Sequence, residues 1–189
     1  MNVDETGLPP VLMVAGLWNS GPQHWQTHWE QRHPDWQRVQ QADWTTPVCK
    51  DWVDALELAI RACKAPPILV AHSLGCALVG HWAASSPRGR VAGALLVAPS
   101  DVDAPSYPDC TQGFTPMPMA ALPFPSRVVA STEDEYVTQA RASQFARAWG
   151  SELTWLDNAG HINGASGYGP WPEGEALLLS FASNISSSS

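Results

Sequence analysis

The chain has 189 residues, 44% of them hydrophobic, and a formal net charge of −8. That is enough chain for one domain with a substantial core. The composition excludes two classes of function: no Lys/Arg cluster is available to displace counterions from nucleic acid or to dock on an anionic membrane, and no apolar run nears the roughly 20 residues of a membrane span.

Residues 11–15, VLMVA, read as a short strand closed by Gly16. A helix is expected over 22–33 with Pro22 at its start, and a weak strand over 38–40. Residues 50–63 form an amphipathic helix, because Trp52, Val53, Leu56, Ala59, Ile60 and Cys63 recur at helical spacing. Pro66 and Pro67 end it. A third strand at 68–71 leads into a small-residue helix at 74–85. Residues 91–98 are almost wholly apolar, as expected of a parallel strand covered on both faces. Next come a strand at 127–131, a helix at 138–149, a strand at 152–156 and a helix at 173–182.

Strand and helix alternate, which predicts an α/β fold, a three-layer α/β/α sandwich on a mainly parallel sheet. Residues 1–185 read as a single domain and 186–189 as a disordered serine tail. The segment 99–125 breaks the alternation. It holds seven prolines together with Phe114, Met117 and Met119, and it reads either as a lid or binding segment or as a surface loop with a few apolar anchors.

Ligands of α/β sheets sit beyond the carboxyl ends of the strands. Ser73 comes after the third strand, an acidic cluster after the fifth, and His161 after the sixth, so the chain order is Ser, acid, His. A serine hydroxyl is a weak nucleophile at neutral pH and needs a base within hydrogen-bond reach. His161 can take its proton, and an acid can fix the imidazole tautomer. The acid can be Glu133, Asp134 or Glu135; Asp157 is too close in sequence to His161.

Ser73 stands in ILVAHSLGCALVG, where a strand gives way to a helix. Small neighbours let strand and helix approach at such a turn. Ala71 and Gly75 are those neighbours, with Ala71 where glycine is usual. The N–H of Leu74, at a helix N-terminus, is expected to supply one oxyanion donor. The second is expected from the loop after the first strand, with Leu17 the first choice and Trp18 the second. Trp18 is also placed as a wall of the acyl pocket, whereas most of the other nine of the ten tryptophans are expected to pack the core.

His24 and His28 have the i, i+4 spacing of a metal pair, but Trp25 stands where a zinc-protease motif needs Glu, and no third ligand is evident. No metal and no cofactor are expected. His72 is assigned no chemistry. Cys49, Cys63, Cys76 and Cys110 show neither CxxC nor zinc-like spacing. The opening MNVDETGLPP lacks the apolar core of a secretory signal, so a cytoplasmic, reduced protein is expected, with Cys63 and Cys76 as small core residues.

Three stretches carry a family resemblance: HSLG at 72–75, ASTEDEYV at 130–137 and, most specifically, GHINGASGYGPWPEG at 160–174. From about residue 11 to 182 the chain resembles the small serine hydrolases typified by retinoblastoma-binding protein 9 and the YdeN proteins. The resemblance implies an α/β-hydrolase with six parallel strands ordered 2-1-3-4-5-6 and no large cap domain. It selects Asp134 over Glu133, because the family's acid precedes a residue-Tyr-Val segment. It also implies esterase-type cleavage of small acyl substrates through an acyl-enzyme. Two rivals share these residues: an interaction module with little turnover, and an acyltransferase. Nothing in the sequence itself indicates a protein partner.

Overall fold

The computed structural model describes residues 8–85, 87 and 89–187; most of the opening stretch read for a signal therefore lies outside the described residues. A six-stranded sheet is built from β1 (Val11–Val14), β2 (Gln37–Arg38), β3 (Ile68–His72), β4 (Gly93–Val97), β5 (Ser126–Ser131) and β6 (Glu152–Leu156). Its order is β2-β1-β3-β4-β5-β6, and every pairing is parallel. The central strands β1, β3 and β4 are buried at every residue. This explains their unbroken apolar runs: helices cover both faces, so no residue can turn to water.

The helices are α1 (Trp25–Arg32), α2 (Cys49–Ala62), α3 (Leu74–Ala84), α4 (Gln139–Trp149) and α5 (Pro172–Ser187). On one face α2, α3 and α4 bury Trp52, Leu56, Leu78, Trp82, Phe145 and Trp149. On the other, α1 and α5 bury Trp25, Trp29, Leu178 and Phe181. The result is the three-layer α/β-hydrolase architecture without a large cap. No helix among the described residues is long and apolar enough to cross a membrane.

Three expectations shift at the element ends. Pro22 lies in a turn, and α1 starts at Trp25 because His24 caps it, its Nδ1 accepting from the Gln26 N–H at 3.2 Å. Cys63 is the C-cap of α2 and only partly buried, while Cys76 is fully buried. Ser186 and Ser187 belong to the last turn of α5 rather than to a disordered tail; Ser188 and Ser189 lie outside the described residues.

The 99–125 segment is pinned from several sides. Phe114 and Met117 are buried, and the Met117 N–H donates to the Asp103 carboxylate at 3.1 Å. The Trp149 indole donates to the Pro118 carbonyl at 2.8 Å, and the His81 imidazole to the Phe114 carbonyl at 2.7 Å. Met119, by contrast, stays exposed. The anchored-loop reading therefore describes residues 114–118, whereas Tyr107 and Pro108 reach the pocket that holds Ser73.

Candidate active site

Ser73 stands between β3 and α3, as the N-cap of α3, with φ 58° and ψ −124°. A positive φ is costly for a residue with a side chain and persists only where the surroundings impose it. The flanking elements do so: the Ser73 N–H donates to the Val97 carbonyl of β4 at 3.1 Å, and its carbonyl accepts from the Cys76 N–H at 2.9 Å. Close approach of β1 sets the neighbours. A Cβ on Gly75 would lie 2.3 Å from the Val14 carbonyl oxygen, and one on Gly16 would lie 2.9 Å from the Ser73 Cβ. Ala71, two residues before the serine, lies inside the strand opposite Val14 and is fully buried. Only Gly75 faces the tight contact, so a methyl at position 71 is accommodated.

His161 is held by the glycine-rich stretch after β6. Its N–H donates to Ser166 Oγ at 3.1 Å, and Asn163 Oδ1 accepts from both the N–H and the hydroxyl of Ser166. A Cβ on Gly164 would meet the Gln23 carbonyl at 2.8 Å. Trp25 and Trp29 of α1 donate their indole N–H groups to the Ile162 and Pro170 carbonyls at 2.8 and 2.9 Å, and Trp171 stacks on Trp29. The GHINGASGYGPWPEG stretch thus acts as a cradle that fixes the histidine backbone.

The three side chains meet in one line. His161 Nε2 lies 2.9 Å from Ser73 Oγ, and His161 Nδ1 lies 2.9 Å from each carboxylate oxygen of Asp134. Facing a carboxylate, Nδ1 carries the proton and donates, which leaves Nε2 free to accept from the Ser73 hydroxyl. The Asp134 side chain is fully buried, and its Oδ1 also accepts from the Tyr136 N–H at 2.9 Å. Glu133 and Glu135 are exposed, so of the three candidate acids only Asp134 meets the histidine.

His72, assigned no chemistry from the sequence, has a positioning contact. It is the last residue of β3 and is buried, and its Nε2–H donates to the His161 carbonyl at 2.9 Å. It tethers the histidine loop directly to the strand that carries Ser73. His24 packs edge-on against it, with ring centroids 4.6 Å apart. Burial, then Arg38 and His161, push the His24 pKa down to about 3. Burial, then His24 and His161, hold His72 well below the usual imidazole range. Both are therefore neutral in the folded protein but bind protons in the unfolded chain below its reference value of 6.5. Depressed folded pKa values give stability that is present above the unfolded pKa and lost as pH falls. The unfolding free energy read from urea titrations should hold above that value and drop on acidification, by up to about 1.4 kcal/mol per pH unit for each histidine, and the urea midpoint should drop with it. A midpoint flat from pH 7 to 4 would contradict this assignment.

The loop after β1 closes the other side. Trp18 and Asn19 both have positive φ, 63° and 65°. Arg38 secures the loop through Asn19 Oδ1 at 3.0 Å and the Ser20 carbonyl at 2.8 Å, while pairing with Glu30 of α1. Among the described residues, neither the Leu17 nor the Leu74 N–H bonds to a protein carbonyl, and a Cβ on Gly16 would lie 3.1 Å from the Leu74 nitrogen. A pocket of about 180 Å³ opens over Ser73 and His161, lined also by Leu17, Trp18, His24, His72, Tyr107 and Tyr136. Trp18 is 57% exposed, so it stands at the pocket rim rather than forming an inner wall. Among the described residues no group of three or more His, Cys, Asp or Glu is placed to hold a metal.

A family model described as serine hydrolase matches residues 11–180. The chain belongs to the serine hydrolase family. Solved structures named for YdeN are similar to it. It is 34% identical to a YdeN-like hydrolase of Pectobacterium atrosepticum, with a TM-score of 0.84 over 95% of this chain and 94% of that one. The ydeN gene product of Bacillus subtilis gives 22% identity and a TM-score of 0.75 over 92% and 98% of the two chains. A propionate-bound thermophilic esterase of Thermogutta terrifontis is 16% identical, with a TM-score of 0.65 over 93% and 82%. A comparison with curated proteins found no match. Family membership makes the protein a hydrolase on the α/β-hydrolase fold.

Proposed function

We propose that this serine hydrolase is an esterase for small acyl groups, with Ser73, His161 and Asp134 as its catalytic triad. The observation that carries the proposal is the unbroken line Ser73 Oγ, His161 Nε2, His161 Nδ1, Asp134 at 2.9 Å steps, at the carboxyl ends of β3, β5 and β6 and opening into a pocket. Ser73 Oγ attacks the acyl carbon as its proton passes to His161 Nε2. The negative oxygen that results faces the Leu17 and Leu74 N–H groups, the latter backed by the α3 dipole. His161 returns the proton to the leaving alcohol, and the acyl-enzyme forms. Water, activated by the same histidine, then releases the acid. Asp134 stabilises the imidazolium without itself becoming protonated.

Pocket size supports small substrates. A cavity of about 150 Å³ accommodates benzene, so a pocket of about 180 Å³ has room for a short acyl chain. Propionate bound to a structurally similar esterase agrees with that size class. The test is labelling of the wild type by a fluorophosphonate, with the modified peptide mapped to Ser73, alongside hydrolysis of p-nitrophenyl esters of increasing acyl length. Rates should peak at two to four carbons, as expected for a pocket near benzene size. A folded protein that neither labels nor hydrolyses any member of the series would overturn the proposal.

A further inference from the structure

We infer that Ser100 is a further catalytic residue of this site, donating a hydrogen bond to Ser73 Oγ that strengthens as that oxygen gains negative charge. The inference rests on the esterase reading. Ser100 Oγ lies 2.8 Å from Ser73 Oγ and is 0% exposed. Ser73 has a single proton, and productive attack requires that it point at His161 Nε2. The bond to Ser100 must then be donated by Ser100. When the Ser73 proton moves to His161, the oxygen is left facing two donors, the imidazolium Nε2–H and the Ser100 hydroxyl. No proton leaves Ser100 at any step. Once acylated, Ser73 Oγ is an ester oxygen and a poor acceptor, so the bond is strongest on the way to the transition state, where it accelerates reaction.

The segment around Ser100 is fixed on both sides. Ala98, the residue after β4, has φ 47°, a strained conformation made more restrictive by the adjoining Pro99. Its N–H donates to the Val129 carbonyl at 2.8 Å, and the Asp101 N–H to the Tyr136 carbonyl at 2.9 Å. Arg141 grips the Asp101 carboxylate through two bonds of 2.8 Å. Strain held by this many contacts, next to a reacting atom, is the pattern of a preorganised donor. Tyr107, a pocket residue, adjoins Ser100, and burial raises the pKa of its phenol, which stays neutral. The opening of the 99–125 segment therefore serves the nucleophile, while residues farther along anchor it.

Two variants test the assignment. Ser100→Ala should slow fluorophosphonate labelling and lower kcat for p-nitrophenyl acetate by about 10- to 150-fold, the usual worth of a hydrogen bond to a charged group, with KM little changed. Ser100→Cys fills similar space with a weak donor and should be nearly as slow. Wild-type rates in the alanine variant, or recovery of the lost rate in the cysteine variant, would overturn the inference and leave Ser100 a packing residue. Labelling of the wild type but not of Ser73→Ala, together with an unaffected Ser100→Ala, would retire this inference while the esterase reading stands. An unlabelled wild type would retire both.

Discussion

Ser73→Ala should give a folded protein that has lost labelling by fluorophosphonates and about 10⁶-fold in kcat, the scale of loss when a serine nucleophile is removed. What remains is the catalysis that binding and the backbone donors supply without covalent attack. The melting temperature should move by only a few degrees. Alanine carries the φ of 58° at much the same cost as serine, so the strained turn is neither relieved nor worsened. The change deletes the bonds to His161 and Ser100. Losing the second leaves the buried Ser100 hydroxyl without Ser73, a cost of about 1 kcal/mol. Near-wild-type turnover in a folded Ser73→Ala protein would mean that another group attacks, and the site would have to be read again. Melting measured with turnover separates this from unfolding, since a collapsed elbow would lower both.

The sheet was legible because its central strands are buried on two faces and α2 on one, so the patterns differ sharply in ILVAH and in the α2 stretch. Strand order is another matter: alternation implies parallel strands, but 2-1-3-4-5-6 came with the family resemblance. The start of α1 was misplaced because proline usually marks a first turn, while the actual cap is a histidine ring. For the acid, three consecutive carboxylates carry no local signal of which one turns inward; the backbone decides, burying the Asp134 side chain and leaving its neighbours exposed. Ser100 escaped notice, and the partner of His72 was not legible, for a shared reason. Each acts through a partner far away in sequence, Ser73 and the His161 carbonyl. The available signal was position. Ser100 stands just past β4, at the same edge of the sheet as Ser73, Asp134 and His161, and the polar residues just beyond each strand end are the ones such an edge brings together.

Asp134→Asn should lower kcat by about 10⁴-fold, as when the aspartate of a serine-protease triad is made neutral, while Glu133→Gln and Glu135→Gln stay near wild type. The size of the effect comes from a conflict over one oxygen. In the wild type Asp134 Oδ1 accepts from the Tyr136 N–H while both carboxylate oxygens face His161 Nδ1. Asparagine has only one oxygen. If it keeps the Tyr136 bond, its NH₂ group turns toward the histidine and donates to Nδ1. The imidazole then holds its proton on Nε2, donor faces donor at Ser73, and the base is lost. If the oxygen instead serves His161, the partly buried Tyr136 N–H meets a second donor and the turn after β5 is destabilised. Raising the pH restores neither arrangement, because the fault is the tautomer and not the protonation level. The Asp134→Asn protein should therefore stay slow at every pH at which it is folded. Loss of activity confined to Glu133→Gln would instead assign the acid to Glu133.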